Sequence, residues 1–180
     1  KLRWMEITCG EAPFMTSRDD TTTGGAIHIE DRIGFLDRKL RIVNENTCNR
    51  EDWFDAAVTA YQTSRAYEWQ GDNLLLARES LLYTFIDNYE YKFGERPDHE
   101  LVREIADIIS WNVWQMDGLK GVIPNSCHDV ENRNLYGEIE RTPCPGCKTN
   151  NIHNHNGIPV LLKAFSSGNT YPFHLLRKKR

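Results

Sequence analysis

The feature that most constrains this chain is the spacing of soft ligands in its last third: Cys127-His128, then Cys144-Pro145-Gly146-Cys147, then His153 and His155. They lie in a Gly/Asn-rich stretch with few apolar residues, which cannot order itself by burying side chains and must gain its order elsewhere. A Cys-Pro-Gly-Cys turn aims two sulfurs at one point and leaves backbone amides free to stabilise thiolates, the layout of a zinc knuckle. Four ligands are at hand: Cys127, Cys144, Cys147 and one of His153 or His155. Zinc bound there would supply much of the folding free energy of the segment. The competing reading is unligated surface cysteines. A Cys144–Cys147 disulfide is disfavoured in a reducing cytoplasm, and a redox dithiol normally sits at a helix start beside a strand. A catalytic zinc would need an open coordination position and an acid such as Glu138 or Glu140. The run Thr142 to Cys147 approaches a deaminase pattern, but Asp129 and Val130 follow His128, so the required His-x-Glu is absent and that reading is rejected. Cys9 and Cys48 are remote and are expected to be buried or incidental.

The middle of the chain carries helical periodicity. Thr47 or Asn49 can cap a helix with Glu51 and Asp52 in its first turn and Trp53, Phe54, Ala57, Val58 and Tyr61 as its apolar stripe. Asp72 can cap a second helix running to Tyr91, with Leu75, Leu82, Phe85, Ile86 and Tyr89 inward and Gly94 ending it. Pro97 stands where a third begins, followed by Asp98 and Glu100 in the first turn and Leu101, Val102, Ile105, Ile108 and Ile109 as the buried face. Strands are expected to end near Glu6, Glu68 and Val113, although Ala56 to Ala66 reads better as helix than as strand. Helices packed on these strands give an α/β layer arrangement in preference to an all-helical bundle.

The amino-terminal stretch Met5-Glu6-Ile7-Thr8-Cys9-Gly10-Glu11-Ala12-Pro13-Phe14 reads as a short strand running into a turn. Gly10 can adopt positive φ or admit a ligand close to the backbone, and Glu6 and Glu11 bracket the turn. Ligands of open α/β sheets bind at the carboxyl ends of strands, where this turn falls. A plain buried strand with a tight turn is the other reading.

This stretch resembles the S-adenosylmethionine loop of adenine-specific DNA methyltransferases, in which an acid, a small or aromatic residue, Gly, a spacer, a second Gly and a Phe follow one another. The resemblance gives Glu6 the methionine end of the cofactor, Gly10 the close backbone approach and Phe14 the closing aromatic position, with Ala12 in place of the second glycine. Glu68, followed by Ala77-Arg78, is similar to the family's second motif, whose carboxylate accepts both ribose hydroxyls. Asp117 in Met116-Asp117-Gly118-Leu119 is similar to the third, where an Asp receives the adenine amine, with Trp111, Trp114 and Met116 as candidate pocket walls. The three segments occur in the family's order, but the interval from Gly10 to Glu68 is longer and holds an insertion, residues 17–65. The wording as a whole resembles the fused methyltransferase subunits of bacterial restriction-modification systems. The family's catalytic Asn-Pro-Pro-Tyr loop has no counterpart here. The resemblance therefore implies a cofactor-binding portion of a larger protein, catalytically incomplete alone, reaching DNA through the full-length protein and its remaining parts.

Two domains follow: an α/β region at 1–124, with partial Rossmann-like methyltransferase layers and a helical insertion, and a zinc-knuckle-like segment at 125–180. A hydrophobic content of 39% suffices for a core. The net charge of −4 argues against an all-over basic nucleic-acid binder, while Arg177-Lys178-Lys179-Arg180 offers a local cluster for phosphate contact or a solvated tail. No apolar run approaches the ~20 residues of a membrane span and no signal-peptide layout is present, which places the expected protein in the cytoplasm. The alternative to a cofactor-binding portion is a non-enzymatic, zinc-stabilised module that binds DNA or another subunit through Lys148, Lys163, His174 and the basic tail.

Overall fold

The computed structural model describes residues 3–20 and 22–176, so the basic run at 177–180 lies outside the described residues. The chain divides into two units, Lys1–Trp114 and Gln115–Arg180. The division falls ahead of the expected boundary at 124, and long-range hydrogen bonds account for it. Asp117 N–H donates to Val122 O, Ile123 N–H to Ile158 O and Val160 N–H to Gly121 O, so residues 117–123 are stitched to the segment around 158–160.

In the first unit β1 (Trp4–Ile7) pairs in parallel with β2 (Ser64–Glu68), Trp4 lying opposite Ser64 and Ile7 opposite Tyr67. β3 (Val113–Gln115) completes a sheet of order β1-β2-β3. Four helices accompany it: α1 (Phe35–Asn46), α2 (Arg50–Gln62), α3 (Gly71–Phe93) and α4 (His99–Asn112). The expected α/β class is met as a mixed fold with a small parallel sheet. The helical reading of 56–66 is corrected: α2 stops at Gln62, and Ser64 onward is a strand buried at Ser64, Ala66, Tyr67 and Glu68.

The helix ends follow local chemistry. Asn49 accepts the Asp52 N–H at 2.9 Å and caps α2. Gly94, at φ 73°, gives α3 the left-handed residue that commonly ends a helix. The expected cap at Asp72 is displaced: α3 starts at Gly71 with Gln70 at the cap position, and Asp72 sits in the first turn, where the helix dipole favours a carboxylate. The buried face of α3 is also rotated from expectation. Phe85 and Tyr89 are buried as expected, but Leu74, Ala77 and Leu81 complete the face by three- and four-residue steps while Leu75 is 66% exposed. On α4 Ile105, Ile108 and Ile109 are buried and Leu101 and Val102 only half-buried.

The core of this unit is aromatic. Trp53 lies against Phe85 at 5.7 Å between ring centroids and meets the edges of Tyr89 and Phe93 at 5.4 and 5.8 Å. Two buried polar ends find partners: Trp53 Nε1 donates to Asn44 Oδ1 at 2.7 Å and Tyr61 Oη to Leu81 O at 2.8 Å. The segment 17–34 is anchored by two carboxylates. Asp37 Oδ2 accepts from Ser17 N at 2.8 Å and Gly34 N at 3.0 Å, and Asp87 pairs with Arg18 and Arg32 at 3.1 and 2.7 Å.

Among its described residues the second unit has two antiparallel hairpins, a short α-helix and a 3-10 turn at Phe173–Leu176. β4 (Val130–Arg133) pairs with β5 (Ile139–Thr142), and β6 (Leu161–Lys163) with β7 (Thr170–Pro172); α5 (Pro145–Thr149) lies between the hairpins. Its apolar centre is slight, with Met116, Val122, Val160, Leu162 and Phe173 buried. Among the described residues no helix is long and apolar enough to cross a membrane.

Gly34 tests the anchoring of this segment. Its φ of −56° suits any residue, yet a Cβ there would overlap the Met15 carbonyl and stand 2.7 Å from Asp37 Oδ2. Gly34→Ala is expected to destabilise the chain by about 1–3 kcal/mol in denaturant unfolding, as overpacking against rigid backbone does, whereas Gly25→Ala, meeting only Thr23 Oγ1 at 3.4 Å, should leave the midpoint unchanged.

Candidate functional site

Two constellations carry chemistry, one in each unit. In the second unit Cys127, Cys144, Cys147 and His155 bring one ligand atom each to within 4.8 Å of one another. His155 Nδ1 stands 3.5 Å from Cys127 Sγ and 3.7 Å from both Cys144 Sγ and Cys147 Sγ. An ideal tetrahedron with zinc–sulfur bonds of about 2.3 Å and a zinc–nitrogen bond of about 2.05 Å places N and S about 3.6 Å apart. The group can therefore hold a metal ion and is compatible with zinc. Four protein ligands would fill a tetrahedral shell around such an ion, as in the closed form of a structural site. His155 is thus the histidine that joins the cysteines. His153 instead packs edge-on against His174 at 5.6 Å, and its Nδ1 has no hydrogen-bond partner among the described residues.

Local backbone chemistry builds the group. Pro145 occupies the first turn of α5 after Cys144 at its cap, and Asn150, at φ 51°, closes the helix in the left-handed region. Gly146 N–H donates to Asn154 O at 3.0 Å and drapes the 151–155 loop over the helix. Burial opposes ionisation of Cys144, but amide donation from Asn156, Cys147 and Gly146, with His155 alongside, outweighs it and brings the thiol down to about 6. Cys127 is pushed up to about 11 by burial, then by hydrogen bonding with the thiols of Cys144 and Cys147. Cys9 is buried in the other unit and Cys48 is exposed, and neither joins the group.

In the first unit the carboxyl ends of β1 and β2 come together. Glu68, 7% exposed, accepts Gly10 N–H on Oε2 at 2.7 Å and Gln70 N–H on Oε1 at 2.9 Å. Thr8 and Cys9 N–H both donate to Tyr67 O at 2.8 Å, so the turn after β1 is fastened to the end of β2. Three residues of that turn take positive φ: Thr8 at 75°, Gly10 at 57° and Ala12 at 65°. Ala12, where the resembling pattern has its second glycine, holds a backbone conformation that glycine adopts most readily. A Cβ on Gly10 would meet nothing within 4 Å, so the turn is open on that side. Glu6 Oε2 is buried without a hydrogen-bond partner among the described residues, and burial raises this carboxyl above its usual range. Burial, then the charges of Glu6 and Glu68, push the Cys9 thiol up to about 12, which makes it an inert buried group. Phe14 is 74% exposed.

The remaining expected residues make contacts within their own surroundings. Asp117 belongs to the second unit, where its Oδ1 accepts Leu119 and Lys120 N–H at 3.1 and 3.2 Å and its Oδ2 pairs with Lys120 at 3.3 Å. Trp111 and Trp114 pack on each other at 6.1 Å, and Met116 is buried in the second unit. Arg78 donates twice to Val113 O, at 3.0 and 2.7 Å, tying α3 to the end of α4. No family model, curated protein or solved structure matches this chain.

Gly146 offers a test that leaves all four ligands in place. A Cβ there would lie 2.5 Å from His155 N and 2.6 Å from its Cγ. Gly146→Ala is expected to displace the imidazole and weaken zinc binding about tenfold or more, as outer-shell changes do, read by competition with a chromophoric chelator.

Proposed function

We propose that the first unit is the cofactor-binding portion of a DNA adenine methyltransferase of the restriction-modification type, binding S-adenosylmethionine at the carboxyl ends of β1 and β2, and that the second unit is ordered by zinc. The observation that carries the cofactor reading is the 2.7 Å hydrogen bond from Gly10 N–H to Glu68, two residues that the sequence resemblance assigns to one ligand and that lie far apart along the chain. A carboxylate anchored by backbone amides on both oxygens keeps lone pairs for a ribose diol. Glu6 offers a buried oxygen without a partner to a cationic amine, and Gly10 leaves the turn open for close approach. When bound, the cofactor supplies an electrophilic methyl group. Glu6, Gly10 and Glu68 hold and orient it; Asp117 spends its oxygens within its own turn and adds nothing to this reading. A partial Rossmann-like layer arrangement is the fold that this reading extends from the small parallel sheet. DNA and the remaining parts of a larger methyltransferase are the partners it implies, since the chain has no Asn-Pro-Pro-Tyr loop to hold a flipped adenine.

Calorimetric titration of the full chain with S-adenosylmethionine, with zinc content determined on the same sample, tests both halves. The expected result is saturable binding that Glu68→Ala abolishes, with about one zinc per chain. No heat from a folded, zinc-loaded chain would overturn the cofactor reading and leave a zinc-stabilised DNA- or subunit-binding module. Absence of zinc would remove the second half alone.

A further inference from the structure

We infer that Asn156 is the positioning residue of the Cys127/Cys144/Cys147/His155 centre, joining the ligand-bearing segments before the metal does; this rests on the reading that the centre holds zinc. The carboxamide makes a two-way pair with the backbone of His128, the neighbour of Cys127: Nδ2 donates to His128 O at 2.8 Å, and Oδ1 accepts His128 N–H at 3.2 Å. The same residue's backbone N–H donates to Cys144 Sγ at 3.4 Å. Asn156 also follows His155 directly in the chain. One residue thus fixes the segment of the first cysteine, hydrogen-bonds the sulfur of the second and sets the path of the histidine.

The surroundings leave this arrangement little freedom. At Gly157 a Cβ would lie 2.5 Å from Ser126 Oγ and 3.1 Å from Cys127 Sγ, so the 156–157 backbone is pressed against the first ligand segment. Ser126 Oγ accepts Ile158 N–H at 3.0 Å and donates to Ile123 O at 2.6 Å, which holds that segment from the other side. An N–H···S bond stabilises a thiolate, and groups that orient ligands commonly govern metal affinity nearly as strongly as the ligands do. The side chain of Asn156 reaches no metal-ligating atom and acts only through His128 and the backbone.

The test uses the full chain and zinc in competition with a chromophoric chelator, with cobalt(II) absorption as the second readout. Asn156→Ala is expected to weaken zinc binding 10–100-fold and to shift the cobalt ligand-field bands, because the Cys127 segment is released while all four ligands remain. Asn151→Ala is the control: its Oδ1 accepts only His153 N–H at 3.0 Å, and affinity should be unchanged. If Asn156→Ala does not fold, Asn156→Asp, which keeps the acceptor toward the His128 amide and loses the donor toward its carbonyl, is read in the same way. Affinity and cobalt bands within twofold of the parent in the folded variant would overturn the positioning role. A parent chain that takes up no zinc would instead overturn the zinc reading, and this inference with it.

Discussion

Parallel pairing of Trp4–Ile7 with Ser64–Glu68 governs the architecture of the first unit. Two parallel neighbours cannot be joined by a tight turn; the chain must travel from the end of one strand back to the start of the next. Here that path contains α1 and α2. The crossover brings the end of β2 beside the turn that leaves β1, and the Glu68 carboxylate closes the gap on Gly10 N–H. A buried carboxylate is tolerated there because backbone amides donate to both of its oxygens. The aromatic packing of Trp53 against Phe85, Tyr89 and Phe93 then holds the crossover helix α2 on α3.

Much of the helical framework was legible because its signals are local. Asn49 followed by two acids, Gly94 after a long apolar-periodic run, and Glu100 ahead of Ile105, Ile108 and Ile109 are local signals, although Asp98, expected in the first turn, stands at the cap position outside α4. The errors arose where tertiary contacts decide. Leu74 and Leu75 are equally apolar, and only packing selects which faces inward. Ser64 to Glu68 lacks a strand's own periodicity because the strand is buried on both faces, and Ala57, Ala60 and Tyr61 just before it carry a genuine helical stripe. The spacing Leu36, Leu40 and Val43, all buried on α1, is a helical signal that could have placed that element too.

The metal group was legible for the same reason that its unit is otherwise obscure. Ligand chemistry is written into residue identity, so Cys127 and Cys144-Pro145-Gly146-Cys147 stood out in a segment with little core. The choice between His153 and His155 depended on the loop path set by Gly146 N–H on Asn154 O, a contact that no spacing rule encodes. The outer contacts of Asn156 and the close approach of Gly157 to Cys127 were invisible for that reason as well. The division at Trp114 was set by long-range hydrogen bonds from residues 117–123 to residues 158–160, which composition does not register.

The turn after β1 holds two non-glycine residues in the left-handed region. Ala12 replaces a glycine of the resembling pattern, and Thr8 is β-branched, yet both occupy positive φ. Non-glycine residues in such conformations cost on the order of 1–3 kcal/mol each and persist only where the surroundings over-determine them. Here the surroundings do so. Two N–H groups converge on Tyr67 O, Glu68 holds Gly10, and Ala12 O accepts from both Met15 and Thr16 while its side chain is fully buried. A turn selected only to reverse the chain would relax by placing glycine or asparagine at positions 8 and 12. The conformation is costly but fastened on Tyr67 O and on the Glu68 carboxylate, so contacts from the end of β2, far along the chain, offset the strain of the turn that leaves β1.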